Sequence, residues 1–186
     1  MQYYSNKSFT RERDQQDPCD RILQNVFDTL RLVDTPPEEE FDKFTRLVVG
    51  FTNAPVALVS FVQEDLDRQF FKSEIGLSGD VAAKRQTPLS HSFCQYVKRD
   101  NRPLIVEHAE TDARVCDNLA IPDLGVRSYL GVPIHGPDKA PLGALCAIDT
   151  KRRTWHQSEV DAMTDLAACV TDQINLRHAL CRAHKL

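Results

Sequence analysis

The chain has 186 residues, of which 41% are apolar and 27% charged, and its 23 basic and 27 acidic side chains leave a formal net charge of −4. That balance fits one soluble globular domain, long enough to bury about two-thirds of its unfolded surface without a disulfide or metal staple. The slight acidity excludes a general nucleic-acid footprint, no apolar run reaches the ~18–20 residues of a membrane span, and the polar N-terminus holds no secretory signal.

Residues 1–16 carry few apolar side chains and read as a mobile arm, followed by one domain over 17–180 and a tail over 181–186. Asp17-Pro18 opens a helix whose apolar stripe runs through Ile22, Leu23, Val26, Phe27, Leu30 and Val33. Thr35 and Glu38 have the spacing of a capping box for a second helix, and Glu38 to Glu40 complement its dipole. Phe41, Phe44, Leu47, Val48 and Phe51 are expected inward, until Asn53-Ala54-Pro55 ends the helix.

Val56 to Val62 is apolar on both faces, the pattern of a central strand covered on both sides. Glu64 to Asp67 reads as a turn and Arg68 to Ile75 as the returning strand. Gly76 to Pro88 is expected to be a loop or lid, and Ser90 to cap a short helix through Tyr96 and Val97. A short strand over 103–107 precedes a polar, punctuated stretch, His108 to Gly125, read as short helical turns.

Val126 to Ile134 and Pro141 to Asp149 form the clearest strand pair, joined by His135-Gly136-Pro137-Asp138. One face should carry Val126, Ser128, Leu130, Val132 and Ile134. In the second strand Leu142, Ala144, Cys146 and Ile148 share a face, and Gly143 and Ala147 leave room for a close helix. Thr154 to Gln157 has capping-box spacing for a last helix of about 30 residues, ~45 Å long. Ala167, Ile174 and Cys181, and Met163, Val170 and Arg177, repeat every seven. This points to self-association as a homodimer through the terminal helices, with packing on the chain's own sheet as the alternative.

The element order is α+β: a single antiparallel sheet with the terminal helices on one face and the central connection on the other. This order, with Asp34-Thr35-Pro36-Pro37-Glu38, Phe41-Asp42, the run Ala54 to Ser60, Asp67 to Ser73, Ile75-Gly76-Leu77, Ser92-Phe93-Cys94, Gly131 to Ile134 and Leu142 to Asp149, resembles the GAF domain. The likeness covers about residues 20–175 and is nearest to the bacterial sensory subgroup of histidine kinases, diguanylate cyclases and phosphatase regulators. It implies a GAF/PAS-like sheet of five or six strands with a ligand pocket under the short helices and loops of 78–125. Phe70 stands where that subgroup usually has Trp, and Arg114 to Gly125 follows the pattern loosely.

The resemblance implies a cytoplasmic sensory module that binds a small molecule and passes its state through the terminal helices to a signalling partner. Lacking a kinase, cyclase, phosphatase or DNA-binding segment after residue 180, the chain is expected to act in trans or as part of a longer protein. Candidate ligand-binding residues are His91, Ser92, Phe93, Cys94, Tyr96, Asp112, Arg114, Asn118, Arg127, Tyr129 and Cys146, since a few polar groups on an apolar cavity make the usual small-molecule site. Arg127 and Tyr129 share a strand face, toward either the pocket or the terminal helices.

Without a signal peptide or any CxxC pair, the six cysteines are expected reduced. Cys94, three residues after His91, is the strongest candidate for a reactive thiol, with Cys116 second and a buried apolar filler as the bland reading. The alternative functions are a thiol enzyme resembling free methionine-R-sulfoxide reductase, whose glycine-flanked cysteine segment is missing here, and a ligand-free dimerisation scaffold with its cavity filled by Phe93, Tyr96, Phe70 and Phe71. His91, His108 and His135 are the candidate ligands for a haem or bilin, but the motifs for a bilin are absent and neither pigment is expected. No metal site is expected, because no His/Cys/Asp spacing suits one.

Overall fold

The computed structural model describes residues 26–183, so the Asp17-Pro18 helix start, Ile22, Leu23, the arm and the last tail residues lie outside the described residues. The chain enters on a helical turn at 26–29 and leaves it at Arg31, which takes a left-handed conformation, as does Asp34. The helix therefore stops before Val33, although Phe27, Leu30 and Val33 are all buried as their spacing requires.

Helix α1 spans Glu39–Thr52 and ends on Asn53, whose left-handed backbone lets its N–H reach the Val49 carbonyl. Thr35 and Glu38 form no capping box: no side chain caps the helix, and both residues turn instead to a buried lysine described below. Phe41, Phe44 and Val48 face inward, but Leu47 is 53% exposed. Thr45 takes a buried place instead, its hydroxyl 2.9 Å from that of Ser73.

Six antiparallel strands follow: β1 (Val56–Gln63), β2 (Arg68–Ile75), β3 (Gln86–Pro88), β4 (Leu104–Val106), β5 (Ser128–His135) and β6 (Pro141–Asp149). Their order across the sheet is β3-β2-β1-β6-β5-β4, so the most apolar strands lie in the middle. The expected loop over 76–88 is in fact a short helix, α2 (Gly79–Lys84), and the edge strand β3. The connection from β3 to β4 holds α3 (Cys94–Asp100), and that from β4 to β5 holds α4 (Ala120–Leu124). Ser90 does not cap α3; the Ser92 hydroxyl accepts the Gln95 N–H at 3.1 Å.

Gly143 answers to a strand, not a helix. A Cβ there would lie 1.9 Å from the Ser60 carbonyl oxygen, because β1 presses against it. The side chains of β5 also divide differently from the expectation: Leu130, Val132 and Ile134 join the terminal-helix core, whereas Val126 packs on the other side of the sheet. In β6, Ala144 and Cys146 lie on that other side, but Leu142 joins the terminal-helix core.

The closing helix α5 (Gln157–Ala183) has 27 residues and is ~40 Å long. The expected capping box between Thr154 and Gln157 is absent; two residues later the Glu159 carboxylate accepts the His156 N–H at 2.8 Å and pairs with Arg153 at 2.7 Å. Trp155 fixes the helix start to the sheet by donating its indole N–H to the Val106 carbonyl at 3.1 Å. Met163, Ala167, Val170 and Ile174, the stripe with the heptad repeat, pack on the chain's own sheet together with Phe27, Phe41 and Phe44. Leu176 and Leu180 are the large apolar side chains of α5 left exposed.

Arg177, the break in the heptad, has an intramolecular task. It pairs with Glu38 and donates to the Leu30 carbonyl at 3.3 Å, stacked 5.2 Å from the centre of the Phe41 ring. Lys72 of β2, fully buried, donates to the same carboxylate and to the Thr35 hydroxyl at 2.6 Å. One carboxylate thus joins α5, the start of α1 and the sheet.

Candidate functional site

The second core lies on the opposite side of the sheet, where α3 and α4 cover β1, β5 and β6. Strand alternation sends Leu58 and Val62 of β1, Phe71 of β2, Tyr129 of β5 and Cys146 of β6 to this side, and α3 brings Phe93, Cys94 and Val97 down onto them. The space left is an apolar cavity of about 60 Å³, lined by Leu58, Phe71, Phe93, Cys94 and Tyr129, among others. Its rim reaches the exposed Leu124 and Thr150. The expected concavity is present, but the chain's own side chains occupy most of it.

Tyr129 is the main plug. Its ring lies over Gly131, where a Cβ would meet the phenol oxygen at 2.2 Å, so the glycine two residues along the strand makes the ring's position possible. Phe93 packs against it, ring centres 5.3 Å apart. Its hydroxyl donates to Cys94 Sγ at 3.3 Å, and Cys94 Sγ lies 3.8 Å from Cys146 Sγ. All three groups are buried.

That small cluster is electrically asymmetric. A hydrogen bond from Cys146 is the largest influence on Cys94 and, with help from the Tyr129 hydroxyl, draws its thiol below the ordinary value despite burial. Burial, reinforced by Cys94, pushes Cys146 well above the ordinary thiol value. Burial likewise raises Tyr129 well above an ordinary phenol, so it stays a donor.

Of the other expected site residues, His91 lines the cavity and holds Asp123 Oδ2 at 2.9 Å through Nε2. Ser92 is buried beside it, donating to Gln69 Oε1 at 2.6 Å. Asn118 braces the same turn, giving its amide to the Ser92 carbonyl at 3.1 Å and accepting from the Ala120 N–H at 3.0 Å. Tyr96 packs edge-on against Phe93 at 6.5 Å, outside the cavity lining.

Asp112, Arg114 and Arg127 do not converge there. Asp112 and Arg114 pair with each other in an outer groove, and Arg127 pairs with Glu110 and donates to the Ile121 carbonyl at 2.9 Å. Cys116 is exposed and away from the cavity. His108 is exposed in the outer groove, and His135 sits on β5 with Nε2 2.8 Å from Asn101 Oδ1, so the three histidines share no site. Among the described residues no group of three or more His, Cys, Asp or Glu is placed to hold a metal.

Gln69 was not anticipated. It is buried, accepts from Ser92 and Ser60, and donates to Thr87 at 2.8 Å, tying β1, β2, β3 and the entry to α3 together. No signal in the sequence marked it, because β2 mixes polar and apolar residues throughout, Arg68-Gln69-Phe70-Phe71-Lys72-Ser73.

Comparison with known proteins places this geometry. The sequence profile of the GAF domain matches residues 36–174. A cyclic di-GMP phosphodiesterase of Pseudomonas aeruginosa is 33% identical over 131 residues, 70% of this chain and 21% of that protein. A diguanylate cyclase of Escherichia coli is 31% identical over 65 residues, 35% of this chain and 19% of that one. The chain thus spans about a fifth of the length of these relatives. Among solved structures, the GAF domain of an Acinetobacter phosphoenolpyruvate-protein phosphotransferase superposes with a TM-score of 0.61 at 16% identity, covering 89% of this chain and 98% of that one. The free methionine-R-sulfoxide reductase of Neisseria meningitidis gives 0.62 at 12% identity over 89% and 95%, a likeness of fold alone. The profile match over most of the chain and the six-stranded sheet between two helical layers agree: this chain belongs to the GAF domain family.

Proposed function

We propose that the chain is a regulatory module of cyclic di-GMP signalling proteins, with its sheet cavity closed by its own side chains to nucleotide-sized ligands and its output carried by α5. The observation that carries this reading is the packing of Tyr129 and Phe93, which leaves about 60 Å³. Sites for drug-sized ligands run to roughly 300–1,000 Å³. A cyclic dinucleotide would have to displace both rings and break the Tyr129–Cys94 hydrogen bond.

The relay rests on shared strands. β5 sends Tyr129 toward the cavity and Leu130 and Val132 toward the terminal-helix core, so a change in strand position on one side is felt by the helix on the other. Glu38 then couples α5 to the sheet through Arg177 and Lys72. Association with a second copy belongs to the same reading, in a narrower form than the heptad suggested: Leu176 and Leu180, one helical turn apart, are the large exposed apolar contacts that α5 offers.

Calorimetric titration of the full chain, kept reduced, with cyclic di-GMP and with cyclic mononucleotides tests the closed cavity. No saturable heat is expected. Saturable binding that disappears when Tyr129 or Phe93 is substituted would overturn the reading in favour of a nucleotide receptor.

A further inference from the structure

We propose that Cys94 and Cys146 form a dithiol site that hydrogen peroxide converts to a disulfide, Cys94 reacting first and Cys146 resolving. Three features of the structure converge on this pair. The two sulfurs are 3.8 Å apart although 52 residues separate them in sequence. A disulfide needs ~2.05 Å, so closure asks the two sulfurs to approach by less than about 2 Å. Cys94 lines the apolar cavity whereas Cys146 lies behind it, which gives the two thiols different access to the same entrant.

The cavity also selects the oxidant. At about 60 Å³, well under the roughly 300 Å³ of a drug-sized site, the cavity has room for water-sized molecules, and hydrogen peroxide fits that space. Bulky organic hydroperoxides and amino-acid sulfoxides do not. The Tyr129 hydroxyl, 3.3 Å from Cys94 Sγ, supports the thiolate form, and its place on the cavity lining, which Cys146 does not share, makes Cys94 the nucleophile.

The chemistry balances without another reactant. The Cys94 thiol gives up its proton and its sulfur attacks one peroxide oxygen; the O–O bond breaks, and the departing hydroxide takes the proton as water. Cys94 is then a sulfenic acid. The Cys146 thiol releases its proton and attacks that sulfur, the S–O bond breaks, and the second hydroxide leaves as water. Two thiols and one hydrogen peroxide give one disulfide and two waters, each sulfur losing one electron and the peroxide gaining two. The new bond would draw the start of α3 onto β6 and take from Tyr129 its hydrogen-bond acceptor.

This inference deepens the regulatory reading by naming a chemical input to the α3 face, and its test is separate from the nucleotide titration. The folded, reduced full chain is treated with a small molar excess of hydrogen peroxide, free thiols are alkylated under denaturing conditions, and peptides are mapped by mass spectrometry without reduction. The expected result is a linked Cys94–Cys146 peptide, two hydrogens lighter than the separate peptides and separated again by dithiothreitol, with cumene hydroperoxide at least tenfold slower. In Cys146→Ser, oxidised while folded and then unfolded in the presence of dimedone, the reagent should capture a sulfenic acid on Cys94. Alkylation of both Cys94 and Cys146 in full while the exposed Cys116 and Cys169 oxidise would overturn the proposal, as would a linked peptide that forms only in denaturant. Because the wild-type map needs no variant to fold, a failure of Cys146→Ser to fold leaves the test intact.

Discussion

Substituting Gly131 tests the packing from which the rest is argued. A Cβ at this position would lie 2.2 Å from the Tyr129 hydroxyl oxygen and 2.5 and 2.6 Å from two ring carbons. Carbon atoms are at ease near ~3.5–4.0 Å, so the ring would have to retreat by roughly 1 Å. Phe93 stands on one side and the bond to Cys94 holds the hydroxyl end, so the ring can retreat only into the small cavity and at the cost of both contacts. Overpacking of this kind costs about 1–3 kcal/mol, and loss of the hydrogen bond to Cys94 adds about 1. Gly131→Ala should therefore destabilise by about 2–4 kcal/mol, or lower Tm by roughly 5–15 °C for a chain of this size. Urea unfolding of Gly131→Ala, Tyr129→Ala and the double variant closes the cycle. Once the ring is gone the alanine should cost less than about 1 kcal/mol, leaving a coupling of about 2 kcal/mol. An equal cost in both backgrounds would refute the argument that Gly131 exists to seat Tyr129.

Four further outcomes are expected. Gly143→Ala should be at least as damaging and, because the obstructing atom is the Ser60 backbone carbonyl at 1.9 Å, no side-chain truncation should rescue it; Gly50→Ala, with open space around it in α1, should raise stability by about 0.5–1 kcal/mol, both read by urea unfolding. Glu38→Gln should cost about 2 kcal/mol at pH 7, less than the ~3–5 kcal/mol of a fully buried broken pair because Glu38 keeps 25% of its side chain exposed. Burial raises the Glu38 pKa, but hydrogen bonds from Arg177 and Lys72 outweigh it and hold the carboxyl below the ordinary range. The stabilisation is therefore full above about pH 5 and is lost as pH falls through the folded value, so wild type and variant should converge in acid; a gap unchanged by pH would contradict the assignment. Glu159→Ala removes the cap on the His156 N–H and the partner of Arg153 together and should cost about 1–2 kcal/mol, with hydrogen exchange rising first at the start of α5.

The frame of this fold was legible because its signals are local. The runs of β1, β5 and β6 are apolar enough to be strands in any context, and the stripe of α5 repeats at helical spacing. The misreadings share a cause in contacts made across the chain. Helix α2 and strand β3 are too short to announce themselves; tertiary bonds set them, among them the Phe71 N–H to the Arg85 carbonyl at 2.8 Å and the Arg85 guanidinium to the carbonyls of Thr35 and Lys72. Glu38 looked like a dipole residue because its partners lie 34 and 139 positions away. Arg177 looked like a flaw in a seam for the same reason.

At the site, the spacing of His91 and Cys94 marked one thiol, but strand parity left Tyr129 toward either the pocket or the terminal helices, and only the packed structure turns it to the cavity. The approach of Cys94 to Cys146 could not be anticipated, since it depends on how α3 docks over β6. Asp112, Arg114 and Arg127 were drawn in as polar residues near a pocket, yet charged side chains on turns find one another first. The role of Gly131 was hidden because a glycine in a strand gives no hint of which side chain it accommodates.

The most direct test of the central claim, that the sheet cavity is filled from within, is crystallography of the reduced protein grown with and without millimolar cyclic di-GMP. The expected result is the Tyr129 ring seated over Gly131 in both crystals, with no nucleotide beneath α3. A nucleotide bound there with Tyr129 and Phe93 swung aside would contradict it.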